Sequence, residues 1–429
     1  MKTLNTQVLS PEKILAEIAG ARLETEQRTE VVRPILKEVR ERGDEAVREY
    51  TARFDGWDGL QLRVSEVEIK EAYEILEPAV LEAIKVAIEN IERFHTGILV
   101  RKDAPIETQS GVSIWREFRA IDRVGLYVPG GKAAYPSTVL MLAIPARVAG
   151  VKSIAMCTPT SKEGKCNPAV LVAADLCGVN EIYKVGGAQA IGAMSYGTES
   201  IPKVYKIFGP GNSFVTTAKI LVYGEVDIDM PAGPSEVAVL ADDSANPEWV
   251  AADLLSQLEH GEDSQSLLVC FSEAFAKSVI DAMERQTLSL SRASIIQESF
   301  ARSFAVVVKD EAEACLILNE YAPEHLELVL GSQEREVAVL AQVQNAGSVF
   351  LGAYSSEPLG DYAAGSNHTL PTSGYAKMFS ALSTDSFGKR MQVQRVSKEG
   401  ITGLRRTVTT LAAAEGLDAH AAAVDIRFK

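Results

Sequence analysis

The sequence predicts an α/β protein with two Rossmann-like parallel-sheet domains, a helical N-terminal segment and a small helical C-terminal tail. Three observations carry that prediction. From about residue 120, short β-branched apolar runs alternate with helical runs at roughly 22- to 30-residue intervals. The same rhythm restarts after PAGPSEVAVLAD. Before His95 apolar residues recur instead at three- and four-residue steps, the period of a helix with one buried face, and the C-terminal end is an Ala-rich helical tail. Repeated βα units imply parallel sheets covered on both faces, with ligands at the carboxyl ends of the strands.

In chain order, Pro11 to about His95 reads as helices through ILAEIAGARL, VVRPILKEVRERGDEAVREY and VEIKEAYEILEPAVLEAIKVAIENI. Asp55-Gly56 and Asp58-Gly59 mark a turn between them. GVSIWREFRAI then reads as a strand, followed by the strands VGLYV, SIAMC, EIYKV and KVYKIF. The helices between and after these are STVLMLAIPARVAG, AQAIGAMSYG and SFVTTAKILVYG. The second set begins at SEVAVLAD and alternates NPEWVAADLLSQLEHG, SLLVCF, EAFAKSVIDAMERQ, FAVVVK and AGSVFLG. From Asn367 the strand rhythm fades into a Gly/Ser/Thr-rich stretch and an Ala-rich helical tail ending in GLDAHAAAVDIR. No internal repeat is visible.

Composition narrows the function classes. With 429 residues and 46% apolar content the chain can bury several cores without staples. Its 43 Lys and Arg against 58 Asp and Glu give a formal charge of −15 and no basic block, which argues against nucleic acid. No apolar run reaches the roughly 18 to 20 residues that span a membrane, and no signal pattern precedes Pro11, so cytoplasm is the expected compartment. Cys157, Cys166, Cys177, Cys270 and Cys315 are irregularly spaced, mostly within apolar runs, and read as reduced core residues.

Chemistry concentrates between Ser235 and His420. The glycine-rich turns VPGG (Val128 to Gly131), VGGAQAIG (Val185 to Gly192) and FGPGN (Phe208 to Asn212) each follow a strand and precede a helix. Free N–H groups there suit a phosphate or nucleotide. None spells G-x-G-x-x-G, and the plainer reading is a tight turn that needs glycine. Four of the five histidines, His260, His325, His368 and His420, sit beside carboxylates or amides in the second half. Gln257 and His260 lie three apart near a helix end, placed to share a cation or merely to furnish a surface. Glu324 and His325 follow Pro323 at a rigid corner, either a proton-transfer pair or an exposed charged turn. Asp361 and His368 fall in a small-residue stretch, and Glu415 and His420 on the tail. Taken jointly, Gln257, His260, Asp361 and His420 make an N/O set that suits zinc or a similar divalent ion. His95 lacks such neighbours and reads as structural.

The motifs VGLYVPGG, GGAQAIGAM, GPGN, DMPAGPSEV, SQLEHGEDSQ, APEHLEL, GDYAAGSNHTLPT and EGLDAH together resemble histidinol dehydrogenase, in order over nearly the whole chain. The resemblance implies oxidation of L-histidinol to L-histidine through a bound histidinaldehyde, the last step of histidine biosynthesis, with two NAD reduced in succession. It implies one zinc per subunit, held by Gln257, His260, Asp361 and His420. It carries Glu324 and His325 over as the catalytic pair: His325 takes the alcohol proton, and Glu324 helps activate water. Substrate contacts map to Ser235, Gln257, His260, His325, Asp361, Glu415 and His420, with His368 a weaker candidate. NAD contacts map to Tyr127, Gln189 and Asn212. The family is a homodimer of intertwined subunits, so Glu415 and His420 are expected to complete the partner's site.

The resulting division places an N-terminal helical segment at 1–22, a first α/β domain at 23–122 plus 236–380 carrying the catalytic and metal residues, a second at 123–235 carrying the glycine-rich turns, and a docking tail at 381–429. Three rival functions share these residues: a zinc hydrolase that uses Glu324 without nicotinamide, an NAD-dependent dehydrogenase of another amino alcohol, and a small-molecule binding protein. NADH formation separates the hydrolase from the dehydrogenases, and loss of turnover rather than of binding in Glu324→Gln and His325→Asn excludes the binding protein.

Overall fold

The computed structural model describes residues 1–21, 28–130, 135–231 and 233–429. Its strands, in chain order, are β1 Lys2–Asn5, β2 Ile106–Gln109, β3 Val112–Ala120, β4 Arg123–Tyr127, β5 Ser153–Thr158, β6 Glu181–Lys184, β7 Lys206–Phe208, β8 Asp227–Ile228, β9 Glu236–Ala241, β10 Gln265–Cys270, β11 Phe304–Val307, β12 His325–Val329, β13 Ser348–Leu351 and β14 Gly388–Val396. They form a five-stranded parallel sheet ordered β6-β5-β4-β7-β8, a six-stranded parallel sheet ordered β1-β11-β10-β9-β12-β13, and a three-stranded antiparallel sheet ordered β14-β3-β2. The α/β class with two parallel-sheet layers and a helical tail is what the alternating pattern predicts.

Both parallel sheets are wound alike. Counting from β4 and from β9, each runs third, second, first, fourth, fifth, with β1 added at the far edge of the larger one. The repeat is architectural and leaves no trace as a sequence repeat. The strands EVAVLA and QSLLVC are buried at every position, as continuous apolar runs covered on both faces must be. Helices enter through side-chain caps at Asn212, Asn246, Ser272 and Asp310 and through proline in the first turn at Pro136, Pro168 and Pro247.

Packing sets the helices of 29–98 against the five-stranded sheet. The helices Thr29–Arg42, Asp44–Asp55, Glu66–Ile75 and Pro78–Ile98 do not join the six-stranded sheet: Val32, Leu36 and Val47 pack with Ile191 and Ile207, and Ile84 and Ile91 pack with Leu126 and Leu142. Their apolar faces match the five-stranded sheet, so that sheet's unit includes most of 29–98. The N-terminal segment packs on the six-stranded sheet. β1 pairs with β11, and Ile14 and Ile18 of the helix Pro11–Gly20 pack with Val306 and Leu318.

The expected fading of strands after Asn367 is also corrected. β14 is a nine-residue strand, and its exposed, charge-rich sequence GKRMQVQRV lacks the apolar run that marks a buried strand. Its pairing with β3 supplies what its composition does not. Phe387, stacked on Phe208 with ring centroids 4.0 Å apart, fixes the entry to this strand on the five-stranded sheet. Beyond it, the helices Lys398–Ala414 and Asp418–Asp425 bury only Gly400 and Ala412.

Candidate active site

The fold order places a crevice where neighbouring crossovers leave the five-stranded sheet in opposite directions, between β4 and β7. At the carboxyl end of β4 stand Tyr127, Pro129 and Gly130, and at that of β7 the turn Gly209–Asn212. The two are locked together by glycine: Gly209 has φ +124°, and a Cβ there would overlap the Tyr127 carbonyl. Lys219, fully buried, donates to the Gly209 carbonyl at 2.8 Å and pairs with Asp229, whose carboxylate accepts from the Gly209 N–H at 2.7 Å. Gly131 of the VPGG turn lies outside the described residues.

The six-stranded sheet contributes from its opposite edge, which corrects the expectation that ligands meet both sheets at carboxyl ends. Ser235 precedes β9, Ser264 precedes β10, and Glu324 and His325 stand at the start of β12. The carboxyl edge is closed by polar contacts: Arg335 pairs with Asp242 and with Glu311, and the Gly331 N–H donates to Ser244 Oγ at 3.1 Å. The amino edge is where the chain arrives from the other sheet.

Between the two sheets lies a cleft of about 400 Å³. It is lined by Tyr127, Asn212, Ser235, Gln257, His260, Glu324, His325, Asp361 and His368, so nine of the residues singled out in the sequence meet in one place. Gln189, fully buried in the helix Gly187–Tyr196, is not among its lining residues, although its helix starts where the Gly187 N–H donates to Tyr127 Oη at 3.1 Å. Glu415 and His420 are exposed on the tail and line no part of this cleft.

Glu324 and His325 are buried rather than exposed at a charged turn. Ala322 with φ +51° and Pro323 end the preceding helix, so Glu324 turns inward and its Oε2 accepts from the Glu236 N–H at 2.8 Å. Gly347 lets β13 approach this corner, since a Cβ there would stand 2.5 Å from the Glu324 carbonyl oxygen. His325 Nδ1 is 3.3 Å from the Glu236 carbonyl and 3.8 Å from Glu324 Oε2. Its Nε2 faces Asp361 Oδ1 at 3.3 Å and Glu357 Oε1 at 3.7 Å. Burial opposes a charge on this ring, but the surrounding carboxylates outweigh it and raise its proton affinity above the ordinary histidine value. Burial also pushes Glu324 well above the usual carboxylate range.

Gln257, Asp361 and His260 bring donor atoms of the kind a divalent cation takes. Both amide atoms of Gln257 and Oδ1 of Asp361 are buried without a hydrogen-bond partner, a costly state that a ligand relieves. Burial holds His260 below its ordinary value, leaving the imidazole neutral as metal ligation requires. His325, Glu357 and Asp361 present ligand atoms within 4.8 Å of one another. His368 Nδ1 lies 2.9 Å from the Asp361 carbonyl and its Nε2 3.4 Å from Thr138 Oγ1, which ties the Asp361 segment to the five-stranded unit.

Glu357 is a site residue that the sequence reading missed. It is 1% exposed, with Oε1 unpartnered beside His325. Its signal was the run Ser355-Ser356-Glu357-Pro358, a helix-start pattern that places an acid one turn before Asp361. His95, by contrast, is buried away from the cleft, between Thr384 and Asn367.

The family model described as histidinol dehydrogenase matches residues 19–428. The chain is 52% identical to the histidinol dehydrogenase of Bacteroides fragilis over 408 residues, covering 95% of this chain and 94% of the relative. It is 50% identical to that of Methanothermobacter thermautotrophicus over 409 residues, covering 94% of each. The crystal structure of histidinol dehydrogenase from Elizabethkingia anophelis superposes with a TM-score of 0.95 at 44% identity, covering 100% of this chain and 98% of the other.

Proposed function

The chain belongs to the histidinol dehydrogenase family, and from that premise we propose that it oxidises L-histidinol to L-histidine through a bound histidinaldehyde, reducing two NAD in succession. The observation that carries the reading is the meeting of Glu324 and His325 with Gln257, His260 and Asp361 in one cleft between the two sheets. In the first oxidation His325 takes the hydroxyl proton of the alcohol as hydride leaves its carbon. In the second, Glu324 takes a proton from the water that adds to the aldehyde, and a second hydride leaves the hydrate. One water is consumed, two hydrides are transferred and a carboxylate results.

The chain's own residues prepare these transfers. Glu324 is fixed by the Glu236 N–H and buried, and its raised proton affinity makes it, once deprotonated, a stronger base than an ordinary carboxylate. His325 is held on its other side by Asp361 and Glu357, which stabilise the imidazolium formed when it accepts the proton; the neutral ring that this step starts from is the form a cation on Asp361 would favour by withdrawing that carboxylate's charge. We assign one zinc per subunit to Gln257, His260 and Asp361, completed by His420 of the partner subunit. When bound, zinc supplies a fixed positive charge that orients the imidazole and amine of the substrate, and NAD supplies the hydride acceptor. The unpartnered atoms of Gln257 and Asp361 fit that cation. Ser235 and Glu415 of the partner subunit are assigned to the substrate, and Tyr127, Gln189 and Asn212 to NAD. The unpartnered buried amide of Gln189 fits a polar ligand, and Asn212 spends Oδ1 on its helix cap while its Nδ2 remains a donor.

A homodimer accounts for the tail. Glu415 and His420 are exposed in the single chain, and Leu411, Leu417 and Ile426 expose apolar surface beside them. The five cysteines are free and buried, as suits a cytoplasmic protein. No helix among the described residues is long and apolar enough to cross a membrane. The test is Glu324→Gln and His325→Asn: turnover of L-histidinol is expected to fall at least about 100-fold while L-histidinol binding, read by calorimetry, persists. Full turnover in both variants would sink the assignment of the pair.

A further inference from the structure

A pair of acids, Glu327 buried and Asp253 half-buried, lies behind the cleft, in a place the proposed reaction does not use. Glu327 follows His325 by two residues on β12, so the two side chains share a face. Asp253 precedes Gln257 by four residues on the helix Pro247–Leu258, so those two also share a face. Glu327 is 2% exposed, and its carboxyl is hydrogen-bonded to that of Asp253. Two carboxyls in such contact hold one proton between them. Holding two acids in contact, one of them buried, is costly unless the arrangement serves something else.

What the pair holds is the start of the helix Glu357–Tyr362. Glu327 Oε1 accepts from the Glu357 N–H at 2.8 Å, and Asp253 Oδ1 accepts from Ser356 Oγ at 2.7 Å. Ser256, on the same helix as Asp253, adds its hydroxyl at 2.9 Å from Glu357 Oε2. That short helix carries Asp361 at its far end and Glu357 at its near one. Its six residues cannot hold their own position by helix propensity alone. The grip therefore couples the strand that bears His325 and the helix that bears Gln257 to the segment that bears Asp361.

We infer that Asp253 and Glu327 are positioning residues that fix the Glu357–Tyr362 helix, and with it Asp361, at the metal position. The inference rests on the proposed reading of Asp361 as a metal ligand. Neither acid touches substrate or metal; each acts through Ser356 and Glu357.

The test compares Glu327→Leu with Glu327→Gln in the full-length protein. The glutamine keeps an acceptor for the Glu357 N–H and offers its own N–H to Asp253, so zinc affinity, measured by chelator competition, stays within about 3-fold of the parent, whereas the leucine lowers it about 10- to 100-fold. In zinc-free protein, amide exchange across 357–362 accelerates in Glu327→Leu and not in Glu327→Gln. Parental zinc affinity and parental exchange in the leucine variant would overturn the inference. If that variant does not fold, Ser356→Ala removes the second hold, and unchanged exchange and affinity there would overturn it equally. A parent protein that binds no zinc would instead refute the metal reading, and the exchange comparison would still decide whether the acid pair holds this helix.

Discussion

Titration of His95 provides a quantitative test of the packing between the helix Pro78–Ile98 and the segment leading to β14. The ring is fully buried. Thr384 Oγ1 donates to the His95 carbonyl at 3.0 Å and lies 3.3 Å from Nδ1, so Nδ1 carries a proton and donates to that hydroxyl. Nε2 faces Asn367 Nδ2 at 3.5 Å, an amide nitrogen whose orientation is fixed by its donation to the Met141 carbonyl at 2.7 Å. A second ring proton would therefore point at a donor. Burial lowers the pKa from 6.5 to about 4. Because the folded value lies below the unfolded one, this contribution is complete above the unfolded pKa. It is lost as the pH falls through the interval between the two values. A shift from 6.5 to about 4 corresponds to about 3 kcal/mol in all, of which about 2 kcal/mol is lost between pH 7 and pH 5. The assay is urea unfolding of the parent and of His95→Gln at fixed protein concentration, at pH 7, 6 and 5. The difference between the two proteins cancels the titration of the cleft residues. The parent's advantage is expected to shrink by about 2 kcal/mol from pH 7 to pH 5. A gap that stays constant across this range would refute the account of His95 as a neutral, doubly satisfied ring.

Two further substitutions probe the scaffolding of the cleft. Gly347→Ala sets a Cβ against the Glu324 carbonyl and should displace the Glu324–His325 corner. About a 10-fold or greater loss of kcat is expected, because small misplacements at a reacting centre are expensive, and unaltered steady-state kinetics would contradict it. Lys219→Met leaves the buried Asp229 carboxylate unpaired beneath the Gly209 turn. It should cost about 3 to 5 kcal/mol of stability, while the double variant Lys219→Met with Asp229→Leu recovers much of it. A double-variant cycle showing simple additivity would refute the coupling.

The class of fold was legible because both parallel sheets are built of continuous apolar strands separated by capped helices. SEVAVLAD and SLLVCF can be buried only as strands between covering layers. Which helices cover which sheet was not legible: the apolar stripe of VVRPILKEVRER states that a face is buried but not against what. β14 escaped notice because GKRMQVQRV, mostly exposed, draws its order from pairing with β3 rather than from its own composition. Within the site, the joint N/O set and the Glu324–His325 pair stood out because polar residues at element ends have few structural tasks. Glu357 did not stand out, since an acid in the first turn of a helix has an ordinary explanation at the helix dipole. The carboxyl edge of the six-stranded sheet, away from the cleft, is closed by ion pairs such as Arg335 with Asp242, 93 residues apart. No local pattern announces contacts at that separation.

The central claim is that one cleft carries out two consecutive oxidations with the help of a metal. Its most direct test is the number of NADH formed per L-histidinol consumed by purified protein, measured as isolated, after chelation and dialysis, and after zinc is restored. The account predicts two NADH per L-histidinol, abolished by chelation and recovered with zinc. One NADH with release of the aldehyde would contradict the role given to Glu324 and its water, and no NADH at all would contradict the assignment as a dehydrogenase.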